Sequence, residues 1–93
     1  MAQPSRRSGP VDIHIGERIR ELRTKRGVSQ EALGAALGVA FQQIQKYESG
    51  VNRISAGRLW LLCRELKVPI APIFEGVTES MFTGAKRGGK AKR

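Results

Sequence analysis

Residues 29–50 read SQEALGAALGVAFQQIQKYESG, and their spacing predicts two short helices joined by a glycine turn. Ser29 suits the N-cap of the first, and Glu31 sits in its first turn at the positive end of the helix dipole. Leu33 and Leu37 mark a buried face, and Gly38 ends the helix after about two turns. The second is expected from about Ala40 to Glu48, stopping at Ser49–Gly50. Gly34 lies in the middle of the first helix, where glycine costs about 1 kcal/mol relative to alanine. Such a residue is expected where the second helix approaches closely.

Outward from this pair the helical pattern continues. Before it, Ile15, Ile19 and Leu22 recur on one face, with Glu17, Arg18, Arg20 and Glu21 on the other. That helix is expected to start at Asp12 as its cap and to stop at Gly27. After the pair, Ser55 is expected to cap a helix over about 56–67 that buries Leu59, Leu62, Cys63 and Leu66. Pro69 and Pro72 bracket a short apolar turn, Ile70–Phe74. No strand-like alternation is sustained anywhere. The expected fold is all-α, four helices plus a short fifth. The expected division is a flexible N-terminal arm over 1–11, a folded domain over 12–76 and a basic, disordered C-terminal tail over 77–93.

Ninety-three residues suffice for one compact domain with a thin core, which a partner subunit would help. The formal charge is +9, which suggests a polyanionic partner. Most of it lies in the ends: residues 1–10 and 83–93 carry seven Lys and Arg and no acid, whereas residues 11–82 hold ten bases and eight acids. Net charge therefore describes basic tails more than a basic domain. No apolar run approaches the roughly 18 residues of a membrane span, and MAQPSRRSGP lacks the apolar stretch of a signal peptide. A cytoplasmic location is the expectation. Cys63 is the only cysteine and His14 the only histidine, and no phosphate-binding glycine loop is present. Neither an enzyme nor a metal or other cofactor is expected. His14 reads as a surface residue of the first turn, and Cys63 as a small buried apolar one.

A helical wheel centred on Ile44 sorts the segment FQQIQKYES into two faces. Ala40, Tyr47 and Glu48 flank Ile44 on the inner side. Gln42 and Lys46 point almost directly away, with Gln45 and Ser49 beside them and Phe41 at the boundary. The outer face is rich in amides and has no acid. Amides pair bidentately with adenine, lysine donates to guanine or phosphate, and an aromatic edge packs on a thymine methyl. Solvated helices often carry such a face without any function, so the context has to decide.

GVSQEALGAALGVAFQQIQKYESG resembles the recognition unit of the Cro and lambda-repressor-like helix-turn-helix family, the xenobiotic-response-element-type regulators. The likeness extends over about residues 12–75, with IGERIRELRTKRG before it and LWLLCRELKVPIAPIFEG after it. FQQIQKYESGVNRIS is similar to a subgroup of short bacterial regulators with an FQQIQKYE core. The resemblance implies a five-helix fold and a homodimer on double-stranded DNA that regulates transcription, usually by repression. It implies base reading by Phe41, Gln42, Gln45 and Lys46, and phosphate contacts by Gln30, Tyr47, Asn52 and Arg53. Ser29 joins the phosphate set as the cap of the same helix start, where free backbone N–H groups form a ready anion site. Arg23 and Glu48 fall where many members have a buried ion pair. Phe41 departs from the polar residue common at its position, and VNRI (51–54) lacks a proline that many members have there.

Trp60 falls outside the Leu59–Leu62–Leu66 stripe. It is read as a dimer contact together with Ile70, Ile73 and Phe74, against the simpler reading of a tryptophan covering its own core. Two other functions compete with DNA reading. One is a protein-interaction module on the same fold; the other is an antitoxin that binds DNA and also neutralises a partner.

Overall fold

The computed structural model describes residues 9–83, which form α1 (Pro10–Lys25), α2 (Gln30–Leu37), α3 (Phe41–Ser49), α4 (Ala56–Leu66), a 3-10 turn (Ala71–Phe74) and α5 (Ser80–Thr83). Among these residues there is no strand. The expected disorder beyond residue 83 and most of the N-terminal arm lie outside the described residues.

The helix boundaries follow from local chemistry. The Oγ of Ser29 accepts from the Ala32 N–H at 3.0 Å, and that of Ser55 from the Arg58 N–H at 3.1 Å. Each bond satisfies one of the orphan donors of a first turn. Gly38 and Gly50 close α2 and α3 in the left-handed region, at φ 76° and 82°. Lys67 does the same for α4 at φ 58°, a conformation that usually calls for glycine.

Two expected boundaries move. α1 begins at Pro10, because Asp12 acts from inside the first turn: its Oδ2 accepts from the Gly9 N–H at 3.0 Å. The expected tail from residue 77 contains α5, a single helical turn packed against α1.

The core is one cluster. Ile15 and Ile19 of α1, Leu33 of α2, Ile44 and Tyr47 of α3, and Leu59, Leu62, Cys63 and Leu66 of α4 meet there. Ile73 of the 3-10 turn completes it at 0% exposed. This corrects its expected place in a dimer contact: it points inward from the turn that carries Ile70 and Phe74. Burial pushes the Cys63 thiol up, as fits a small apolar core residue.

The C-terminal segment is held to α1 by backbone carbonyls. Arg26 Nη2 donates to the Lys67 carbonyl at 2.9 Å, Arg18 Nε to that of Pro72 at 3.0 Å, and the His14 Nε2 lies 2.5 Å from that of Glu75. His14 is thus partly exposed, as a surface residue of the first turn, and also packs against the Glu75–Gly76 turn.

Two glycines let α1, α2 and α3 close on one another. A Cβ on Gly34 would lie 2.7 Å from the Val39 carbonyl oxygen. A Cβ on Gly16 would overlap the Tyr47 carbonyl and stand 2.9 Å from that of Glu48. Backbone atoms cannot yield as side chains do, so Gly16→Ala is expected to cost about 3 kcal/mol, the upper end for overpacking. Gly57, with open space around its Cα, is the control: Gly57→Ala should leave stability unchanged or slightly raised. Urea unfolding of both variants checks the contrast, and an unperturbed Gly16→Ala protein would contradict the close approach.

Candidate nucleic-acid interface

The inner face of α3 is fixed before its outer face can matter. Ile44 is 0% exposed, and Glu48 is buried at 5% despite its charge. A lone carboxylate there would be costly. Arg23 of α1 meets it with two contacts, Nε to Oε2 at 2.6 Å and Nη2 to Oε1 at 3.0 Å. Parallel contacts of this kind suit the planar guanidinium. The remaining Nη1 of Arg23 donates to the Val28 carbonyl at 2.9 Å, tying the pair to the α1–α2 connection.

The outer face presents Gln42, Gln45 and Lys46, all exposed, and Phe41 half-buried at the start of the helix. Gly34 passes close beneath Phe41, its would-be Cβ lying 3.4 Å from the Phe41 Cα. Phe41 therefore sits where α2 and α3 meet, with only part of its ring free.

The expected phosphate anchors divide. Ser29 is exposed; its Oγ accepts as the cap and retains a hydroxyl hydrogen to donate. Asn52 is half-buried, and its backbone N–H donates to the Lys46 carbonyl at 3.2 Å, which sets the path of the loop after α3 without a proline. Arg53 is 52% exposed, with its Nε 3.5 Å from Asp12 Oδ2. Tyr47 is different: at 8% exposed it belongs to the core. The Gln30 amide is partly committed, because its Nε2 donates one hydrogen to Glu48 Oε1 at 3.0 Å. The sequence carried no sign of that bond.

Trp60, Ile70 and Phe74 are 57%, 44% and 42% exposed. The Arg64 guanidinium lies 5.4 Å from the Trp60 ring centroid, close enough for a cation–π contact. Beside them runs an open, mainly apolar groove of about 300 Å³, lined by Trp60, Cys63, Arg64, Val68, Pro69 and Ile70.

Against known proteins, the profile of the helix-turn-helix family matches residues 19–73. The chain is similar to an uncharacterized HTH-type transcriptional regulator of Sinorhizobium medicae strain WSM419, 51% identical over 75 residues. The match covers 81% of this chain and 54% of that relative. An uncharacterized transcriptional regulator in the ATPase CF(0) region of Rhodospirillum rubrum is 53% identical over 64 residues, which cover 69% of this chain and 59% of that one. The chain thus spans little more than half the length of either relative. Among solved structures it is similar to the restriction-modification controller protein C.AhdI from Aeromonas hydrophila, with a TM-score of 0.63 and 31% identity. That likeness covers 67% of this chain and 94% of the controller.

The Arg23–Glu48 pair generates a stability prediction. Glu48→Ala strands a guanidinium that is largely buried, and the expected loss is about 3–5 kcal/mol. Replacing both partners by methionine should recover much of it, since the stranded charge dominates the loss. Thermal unfolding checks both, and an unchanged midpoint for Glu48→Ala would refute the assignment.

Proposed function

The chain belongs to the helix-turn-helix family of transcription regulators, and we propose that it acts as a homodimeric, sequence-specific reader of a two-fold symmetric operator on double-stranded DNA, in the repressing sense. The observation that carries this reading is the acid-free, amide-bearing outer face of α3, held rigid from behind by a buried ion pair. Gln42, Gln45 and Lys46 are assigned to base edges in the major groove, and Phe41 to a thymine methyl. Ser29, Asn52 and Arg53 are assigned to phosphates, along with the free backbone N–H groups at the start of α2. The basic ends of the chain add affinity without preference, because phosphate contacts carry no sequence information.

The dimer reading rests on Trp60, in the middle of α4, and on Ile70 and Phe74, which flank the buried Ile73 at the 3-10 turn and are exposed like Trp60. An isologous interface needs a patch complementary to itself, and a projecting tryptophan beside its own apolar groove suits one. Two copies related by such an axis would present their recognition helices roughly 34 Å apart, one turn of DNA.

Selection of bound sequences from a random DNA pool tests the whole reading, the expected outcome being a two-fold symmetric site. With about 6–10 phosphate contacts, affinity should fall roughly 10³–10⁵-fold between 50 and 200 mM salt while the preference persists. Absence of any preference over random DNA at 150 mM salt would sink it. For the dimer, Trp60→Ala should cost about 2–4 kcal/mol of association, read by sedimentation equilibrium. A dimer of undiminished strength would move the interface elsewhere.

A further inference from the structure

Gln30 is the one side chain that joins α2 directly to the buried pair. It is the first residue of α2, and its Nε2 reaches Glu48 Oε1, the oxygen that also accepts from Arg23 Nη2. The two helices of the recognition unit are thereby fastened at both ends. At one end the Val39 N–H closes the C-terminus of α2 on the Gly34 carbonyl at 2.9 Å, and Gly34, without a Cβ, lets the chain from Val39 to Phe41 pass close against α2. At the other end, eighteen residues apart in sequence, Gln30 holds Glu48 in the last turn of α3.

The lever arm between these fastenings gives the second one its importance. Nine helical residues span about 13 Å. A tilt of roughly 10° about the turn end would displace the far end by about 2 Å over that length. A hydrogen bond to a base edge tolerates only a few tenths of an ångström. Gln45 lies at the midpoint of α3 and Lys46 beyond it, whereas Phe41 and Gln42 lie beside the turn. Arg23 hydrogen-bonds Glu48 to α1, and among the described side chains only Gln30 hydrogen-bonds it to α2, whose Leu33 also packs in the core with Ile44. The amide has one hydrogen committed to this bond. It is neutral, so it releases no counterion when DNA binds.

We infer that Gln30 is a positioning residue: through Glu48 it sets the angle of α3 against α2, and it serves sequence discrimination in place of the phosphate affinity its location suggests. The inference rests on the DNA-reading function proposed above.

The test uses the full chain, the operator recovered by selection, and random duplex DNA of the same length. Gln30→Met keeps the volume and removes the donor. Its ratio of random to operator Kd should narrow roughly tenfold, the effect of losing a hydrogen bond to a charged group. Its affinity for random DNA and its salt slope should stay at wild-type values. Repeat selection should show the lost preference concentrated at the base pairs nearest Gln45 and Lys46. Gln30→Lys restores a donor toward Glu48 and is expected to retain the preference, which keeps the test valid if the methionine variant folds poorly. Equal losses on operator and random DNA would overturn the inference in favour of a plain backbone anchor. Loss spread evenly over the site, or a lysine variant no better than methionine, would overturn it as well. A wild-type protein with no preference would instead remove the DNA reading beneath it.

Discussion

A single buried carboxylate organises this domain. Glu48 accepts from Arg23 on α1 and from Gln30 on α2 while riding on α3, so three helices converge on its two oxygens. The Val28 carbonyl, bound by the same arginine, brings in the α1–α2 connection. Apolar burial holds these helices together, and the charged hydrogen bonds add fixed geometry at the point where they meet. The outer face of α3 inherits its orientation from that geometry. Gly16 serves the same end, since only a residue without Cβ lets α1 lie against the Tyr47 and Glu48 carbonyls.

Much of this was legible in the sequence because the signals are local. Ser29 and Ser55 cap, Gly38 and Gly50 terminate, and the apolar stripes around Ile19, Leu33, Ile44 and Leu62 repeat with helical period. Glu48 was readable as inward from its place beside Ile44, and family resemblance supplied its partner. The readings that changed depend on geometry across the chain. Asp12 looked like a cap and turned out to be the inner member of a capping arrangement with Gly9. Ile70, Ile73 and Phe74 read alike as apolar residues, but a 3-10 turn sends the middle one into the core and leaves the others outside. Tyr47, placed on the inner face by the wheel as well, lies in the core beside Ile44.

The polar stripe along α1 illustrates a more general blind spot. His14 and Arg18 on the helix, and Arg26 at its C-cap, reach the carbonyls of Glu75, Pro72 and Lys67. Their acceptors are backbone atoms, which no residue type announces. Charged side chains on a helix are ordinarily read as a solvated face. Here they hold an irregular segment whose own apolar anchor is the single buried Ile73. The groove beside Trp60 owes its shape to that attachment, since Val68, Pro69 and Ile70 lie between the held carbonyls.

The separation of the two faces of α3 also bears on how such a domain changes over evolutionary time. Ile44 and Glu48 carry the structural burden, while Gln42, Gln45 and Lys46 stand exposed on the other side. Exposed positions away from caps and buried networks tolerate substitution within about half a kcal/mol. A lineage can therefore vary the chemistry of these three residues while the scaffold beneath them stays under constraint. Duplicated copies diverge in surface chemistry without passing through unfolded intermediates. Phe41, half-buried against the turn, is the exception, and it ties one position of that face to the integrity of the fold.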